Sequence, residues 1–428
     1  MTKSDTITHV GNFLSSYTAW LWGCGATCTR IEKNVTRIAK AYDCEADLTI
    51  MPRHVTIAVT EAGASEPRLF NSRIKTCGIN FDINTSLSAL SWKIADRRLP
   101  IADADKAFHR ITSRPYNNAI AILLLTSLAN ASFCRLFGGD AIAMAIVFVA
   151  TAAGFFLKQR LQKAHLDPRA IFFLCAMVST ILCVGAVNRF HTATPGIAIA
   201  TGVLYLIPGV PYINAASDLI ARHYLCSFSR FVDALVLTAA LSAGMCIALV
   251  AMHTDLAVLT NSQTTSAAAN TQFFDDALFA AMAAIGFSSI SHTPQRTYII
   301  CAVAAAAGHS LRYLLTLPGL FDINIIIAGG IAAFVIGCIA VLMAPVIKVA
   351  AEACLFPSLL PMIPGMYAYR TIAGLLGCLA SASETAASHN LYILFFNGLM
   401  TMAIVITMVI GANLPIFMLK KISFQATR

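Results

Sequence analysis

Charge is scarce in this 428-residue sequence. Only 12% of its residues are Asp, Glu, Lys or Arg, against about 25% in a soluble globular domain. That excludes an ordinary soluble enzyme. Disorder is excluded as well, because 57% of the residues are hydrophobic and a disordered chain needs low hydrophobicity with high net charge. Patterns that carry chemistry are also missing. The chain has no phosphate-binding loop, no Ser-His-Asp arrangement and no metal-ligand spacing. Cys24 and Cys28 lack CxxC spacing and a paired His motif, so no metal is expected there. Other cysteines (Cys175, Cys183, Cys246, Cys301, Cys338) sit singly in apolar stretches, where Cys acts as a small hydrophobe. The start, with Lys3 and Asp5 before a mixed stretch, lacks the apolar core and cleavage site of a signal peptide. The expectation is therefore a non-enzymatic membrane protein without cofactors, its N-terminal part in the cytoplasm.

The charges that are present divide the chain. Residues 1–115 hold 15 of the 30 Lys and Arg and 11 of the 21 Asp and Glu. The expected domains are a soluble module at 1–115, a membrane module at 116–252, an outer linker at 253–272 and a second membrane module at 273–428. In the soluble module, Gly11–Trp22 and Ala26–Tyr42 read as helices, the second with Ile31, Val35 and Ile38 at helical spacing. Asp47–Met51, His54–Thr60 and Arg68–Thr76 read as strands. Ser86–Ala95 and Asp103–Ile111 read as further helices, with Asp103 as N-cap. Arg30 and Glu32 form either a helix-surface pair or a contact with the membrane part.

About ten apolar stretches approach the ~20 residues that cross a bilayer. They run near 116–135, 138–157, 170–189, 196–214, 229–252, 273–292, 297–317, 322–343, 346–372 and 392–416. Basic residues set their orientation. Lys158, Arg160, Lys163, Arg169, Arg222, Arg230, Arg296, Lys348, Lys420, Lys421 and Arg428 fall on the inner side, outer loops 253–272 and 373–391 hold no Lys or Arg, and the outer exceptions Arg135, Arg189, Arg312 and Arg370 lie near helix ends. Much of the net charge of +9 is thus topological, and no nucleic-acid partner is expected.

One motif occurs twice. Ile207-Pro208-Gly209-Val210-Pro211 lies late in the fourth span, and Ile363-Pro364-Gly365 late in the ninth, an offset of 156 residues. Five spans separate them, so the two halves enter the membrane from opposite sides. That is the inverted-repeat layout of many secondary transporters. Proline removes an N–H and clashes with the preceding turn, and a break inside lipid must face protein or a watery cavity. Pro208, Gly209, Pro211, Asn214, Pro364, Gly365, Tyr369 and Arg370 are the expected substrate pathway. The other reading is a pair of ordinary proline kinks.

Ionisable groups within spans are costly and are candidates for proton coupling. These are Asp233, Glu352, Asp218, Asp140 and Asp276, with Asp233 and Glu352 foremost and an ion pair with a nearby Arg as the equal alternative for those two. Asp140 also reads as an N-cap, and Asp275 and Asp276 as first-turn interfacial acids; His309 and Arg312 interrupt the seventh span and either line a pathway or, for His309, form a satisfied packed imidazole.

Several segments together resemble the threonine/serine exporter family. They are Gly25-Ala26 with Arg30-Ile31-Glu32, Leu136-Phe137-Gly138-Gly139-Asp140, and Ile207-Pro208-Gly209-Val210-Pro211 with Asn214, Asp218, Tyr224 and Arg230. Leu360-Pro361-Met362-Ile363-Pro364-Gly365 with Tyr369-Arg370 resembles the family's C-terminal module. Arg222 and Ser227 depart from the pattern, standing where glycines are expected. The resemblance implies an all-α polytopic membrane protein of ten helices in two inverted five-helix repeats, with a small α/β cytoplasmic domain. It implies proton-driven export of threonine and serine across the plasma (inner) membrane, with both termini cytoplasmic. Related two-part systems look like small dicarboxylate exporters, so succinate is the alternative substrate. Assembly with further copies of the chain stays open.

Overall fold

The computed structural model describes residues 3–64, 66–74, 78–114, 118–254, 269–381 and 383–428. The soluble part opens with helices α1 (Lys3–Gly23) and α2 (Cys28–Ala41). Strands β1 (Cys44–Ile50), β2 (His54–Glu61) and β3 (Arg68–Arg73) follow as an antiparallel sheet in that order. Pro52 and Arg53 make the β1–β2 turn, with Ile50 opposite Val55. Alternation decides the buried face: Val55, Ile57 and Val59 on β2 are fully buried, and α1 packs against β2 and β3. The reading of β3 as far as Thr76 ends on residues outside the described set. Helices α3 (Phe81–Arg97) and α4 (Ile101–Thr112) complete the domain.

One N-cap expectation is corrected. Helix α4 is capped at Pro100, whose carbonyl accepts from the Asp103 and Ala104 amides. Asp103 stands in the first turn instead, where a carboxylate complements the helix dipole.

The membrane part contains α5 (Ala119–Leu136), α6 (Ala141–Lys163), α7 (Pro168–Arg189), α8 (Pro195–Thr201), α9 (Gly209–Ile220) and α10 (Tyr224–Ala251). After residues 255–268, which hold most of the expected linker and lie outside the described set, come α11 (Ala269–Ile290), α12 (Tyr298–Thr316) and α13 (Ile325–Met343). Helices α14 (Ala351–Leu359), α15 (Gly365–Ala380), α16 (Glu384–Met418) and α17 (Lys420–Gln425) close the chain. Among the described residues, eight helices are long and apolar enough to cross a membrane, and the α8–α9 pair, bent by 63°, makes nine if it is counted as one span. This is an integral membrane protein. The two Ile-Pro-Gly motifs split α8 from α9 and α14 from α15, so the fourth and ninth of the ten apolar stretches are each two-piece.

The same packing recurs in both halves. Helix α5 packs on α6 as α11 does on α12, and α7 packs on α10 as α13 does on α16. The C-terminus returns to the soluble domain: Trp92 Nε1 donates to the Phe424 carbonyl, and Arg428 pairs with Asp96 at 3.0 Å. The two departures from the family pattern have local reasons. Arg222 adopts φ +68°, a conformation glycine takes without penalty. The Ser227 hydroxyl donates to the Ala215 carbonyl at 2.7 Å.

Candidate functional site

Both motifs make the same turn. Pro208 has φ −77° and ψ 61°, and Pro364 has φ −74° and ψ 58°. The Gly209 amide donates to the Ile207 carbonyl at 2.8 Å, and Gly365 to Ile363 at 2.7 Å. Each proline is thus the centre of an inverse γ-turn. A 3-10 turn precedes each break, at Leu204–Leu206 and Leu360–Met362, and a new helix starts at each glycine. Gly209 and Gly365 line one shared cavity of about 30 Å³ with Ile207, Ile363, Phe133 and Phe287. Two helix N-termini, each carrying partial positive charge, therefore meet at an apolar constriction.

A helix that stops inside a bilayer frees carbonyls that lipid cannot satisfy. Polar side chains supply the missing donors at both breaks. Asn130 on α5 donates to the Thr201 carbonyl at 2.8 Å, and Arg312 on α12 to the Met362 carbonyl at 3.0 Å. Arg312 also contacts His309 Nε2 at 2.7 Å, and His309 Nδ1 lies 3.2 Å from Asp276. A guanidinium only donates, so Nε2 must accept and the proton sits on Nδ1, toward the carboxylate. This chain of groups ties an acid on α11 to the backbone of the second break. His309 is buried, and with Arg312 it forms a polar bridge.

A second polar cluster joins the soluble domain to both halves. Helix α2 begins at Cys28, and its N-cap Thr27 makes no side-chain cap bond. The Cys28 amide instead donates to Asp218 Oδ1 at 2.9 Å. A carboxylate of the membrane part thus caps a helix of the soluble part. Asp218 also lies 3.3 Å from Arg230, and Arg230 reaches the Ala26 carbonyl at 2.6 Å and stacks on Trp22. Asn214 donates to the Gly25 carbonyl at 2.9 Å. From the other half, Glu352 on α14 accepts from Arg30 Nε at 3.0 Å and again from Nη2. Arg30 and Glu352 are 1% and 3% exposed, so this pair is out of water. Glu32 faces His223 at 3.5 Å. Burial pushes the Glu32 carboxyl above its ordinary range, against the attraction of His223.

The remaining sequence-predicted residues fall elsewhere. Asp140 caps α6, accepting from the Ala143 and Ala193 amides and from Thr192. Asp275 pairs with Arg135 at 2.5 Å. Asp233 is exposed on the outer face of α10, beside Val232 and Phe231. Tyr369 is buried among Cys183, Val184 and Ile199, and Arg370 is half-buried one residue later on α15. Pro211 lies half-buried in the first turn of α9. Asn413 was missed: it is buried in the last third of α16 and donates to Ser217 at 3.0 Å. Its trace in the sequence is an amide within a largely apolar span, the same trace Asn130 leaves.

Comparison with known proteins gives a consistent picture. Residues 12–252 match the family model described as "Putative threonine/serine exporter", and residues 276–418 match "Threonine/Serine exporter, ThrE". A Klebsiella aerogenes protein named "Probable succinate transporter subunit YjjP" is 26% identical over 227 residues, covering 53% of this chain and 87% of that protein. The Escherichia coli protein of the same name is 31% identical over 174 residues, covering 40% and 67%. A Mycobacterium tuberculosis "Probable threonine/serine exporter" is 22% identical over 349 residues, covering 78% of this chain and 64% of that protein. No solved structure matches the chain.

Proposed function

This chain belongs to the threonine/serine exporter family, and on that premise we propose that it is a secondary active exporter of small amino acids, threonine and serine, driven as an antiporter by protons. The observation that carries this reading is the pair of matched γ-turn breaks facing one cavity between the two membrane modules. Broken helices of this kind present backbone groups and helix dipoles to a small charged solute. The recurrence of helix pairings supports an inverted repeat of modules 116–252 and 273–428, with the breaks as the pathway. The C-terminal contacts with the soluble domain support a reading with both termini on one face. The basic inner loops support assigning that face to the cytoplasm of an inner membrane.

Proton coupling is assigned to Asp276, His309 and Arg312. Asp276 lies 15 residues before Ser291, whose carbonyl accepts from Phe81 of the soluble domain. At 1.5 Å per residue the acid is about 22 Å from that face, toward the outer side from which protons would enter. A proton on Nε2 turns His309 from an acceptor into a donor facing a donor, which expels Arg312 and releases the Met362 carbonyl. Asp233 reaches neither cluster, so Asp233→Asn is expected to keep gradient-driven accumulation within about twofold of wild type, the scale of a change that breaks no buried contact. Loss of accumulation in that variant would return the coupling role to α10.

A second reading is export of small dicarboxylates such as succinate. The two succinate transporter relatives favour it, as do two helix N-termini at one cavity, which suit carboxylates. Counterflow in proteoliposomes with labelled threonine, serine and succinate decides between them. Threonine and serine exchange is expected. Succinate exchange without threonine exchange would replace the first reading by the second.

A further inference from the structure

Between the soluble domain and the membrane part lies a second cavity, of about 20 Å³. Its walls combine apolar side chains, Ala221, Ile416, Phe417 and Phe424, with polar ones that the constriction lacks. Thr27 and Thr29 come from α2 and its N-cap, Ser217 from α9, Glu352 from α14 and Asn413 from α16. Thr27 is a buried residue, and its side chain makes no capping bond to α2. Asn413 and Ser217 hold each other at 3.0 Å. At one edge sits the Arg30–Glu352 pair, with Arg30 also 5.3 Å over the Phe424 ring.

We propose that this cavity is the substrate site on the soluble-domain side of the exporter, and that a hydroxy amino acid binds by inserting between Arg30 and Glu352. The inference rests on the export reading given above. A free space of about 20 Å³ holds a water molecule, not an amino acid, so the ligand enters as the two charges part. Separating a buried pair leaves both charges unpaired, which is costly. A zwitterion removes that cost: its carboxylate takes the guanidinium of Arg30 in a bidentate pair, and its ammonium takes the carboxylate of Glu352. The side-chain hydroxyl of threonine or serine then meets Thr27, Ser217 and Asn413, which can donate or accept. A dicarboxylate satisfies Arg30 but sets a second negative charge against Glu352. The site therefore selects zwitterions, whereas the two helix N-termini at the constriction do not.

Because Arg30 belongs to the soluble domain and Glu352 to the second membrane module, occupancy also reports on how the domain sits. A bound zwitterion spaces the two elements apart and loosens the α2 cap on Asp218 of the first module.

The test is equilibrium binding of labelled threonine and labelled succinate to the full-length protein in detergent, run beside threonine counterflow. Wild type is expected to bind threonine in preference to succinate. Glu352→Gln should weaken threonine binding about tenfold or more, the effect of losing a buried charged hydrogen bond. Thr27→Val leaves the ion pair in place and keeps the test decisive if Glu352→Gln fails to fold; it should weaken threonine binding about threefold to tenfold. Wild-type affinity in Thr27→Val, or in a folded Glu352→Gln, with counterflow intact, overturns this site and leaves the export reading standing. Succinate binding in preference to threonine overturns both.

Discussion

Gly209→Leu is expected to abolish counterflow while the protein still inserts into the membrane. A Cβ at Gly209 would lie 2.5 Å from Leu360 Cδ2 and 2.9 Å from Ile363 Cδ1, both well inside van der Waals contact. Those side chains belong to the facing break, so the clash sits across the interface of the two modules. The cavity between them, about 30 Å³, cannot take three further carbons of leucine. Overpacking of this kind costs about 1–3 kcal/mol, which is roughly a 5- to 150-fold loss in any step that needs the breaks to approach and part. Gly365 differs. A Cβ there meets Leu204 at 3.5 Å and Phe137 at 3.7 Å, which is ordinary contact. Gly365→Ala should therefore transport at a rate close to wild type, and Gly209→Ala, which meets only the methyl ends of two flexible side chains beside the cavity, should lose far less than Gly209→Leu. Counterflow rates normalised to protein in the membrane fraction check both. A normal rate in Gly209→Leu would show that the constriction takes no part in transport.

His309→Gln should retain threonine exchange and lose accumulation driven by a pH gradient. Glutamine preserves an acceptor for Arg312 but binds no proton in the working range. Arg312 then stays on the Met362 carbonyl at every pH, and exchange no longer responds to the gradient. Counterflow at equal pH on both sides measures the first property, and uptake into acid- or alkali-loaded vesicles measures the second. Arg312→Lys provides an independent check. A lysine keeps the charge but gives up the planar fork that spans His309 and the carbonyl, so coupling should weaken there too. Full gradient-driven accumulation in His309→Gln would remove the imidazole from the coupling path.

The polar residues of this protein divide by what holds them. Glu352 and Asp218 stand out in the sequence as acids inside apolar stretches, and the structure gives each a basic partner: Arg30 for Glu352 and Arg230 for Asp218. Arg30 lies 322 residues from Glu352. No local pattern of spacing reveals that pairing, because α2 and α14 meet only after the soluble domain docks on both modules. Asp233 shows the reverse. Its position in a span makes it a candidate by sequence, but a single acid carries no information about which face of its helix looks inward. The burial of Ala234 and the exposure of Val232 and Phe231 settle that.

What the sequence by itself determines is the class of molecule and its punctuation. Low charge, long apolar runs and the distribution of Lys and Arg are local properties, and so are the two Ile-Pro-Gly breaks, because proline and glycine act on the backbone where they stand. The three-stranded sheet is legible for the same reason: alternation along β2 is a property of neighbours. Only the tertiary structure decided that the two breaks share one cavity, that His309 and Arg312 connect Asp276 to the second break, and that α2 is capped by a carboxylate of another domain. The physical reason is common to all three. The groups that meet, apolar at the constriction and polar at the other two, are distant in sequence and become neighbours only once the chain has folded.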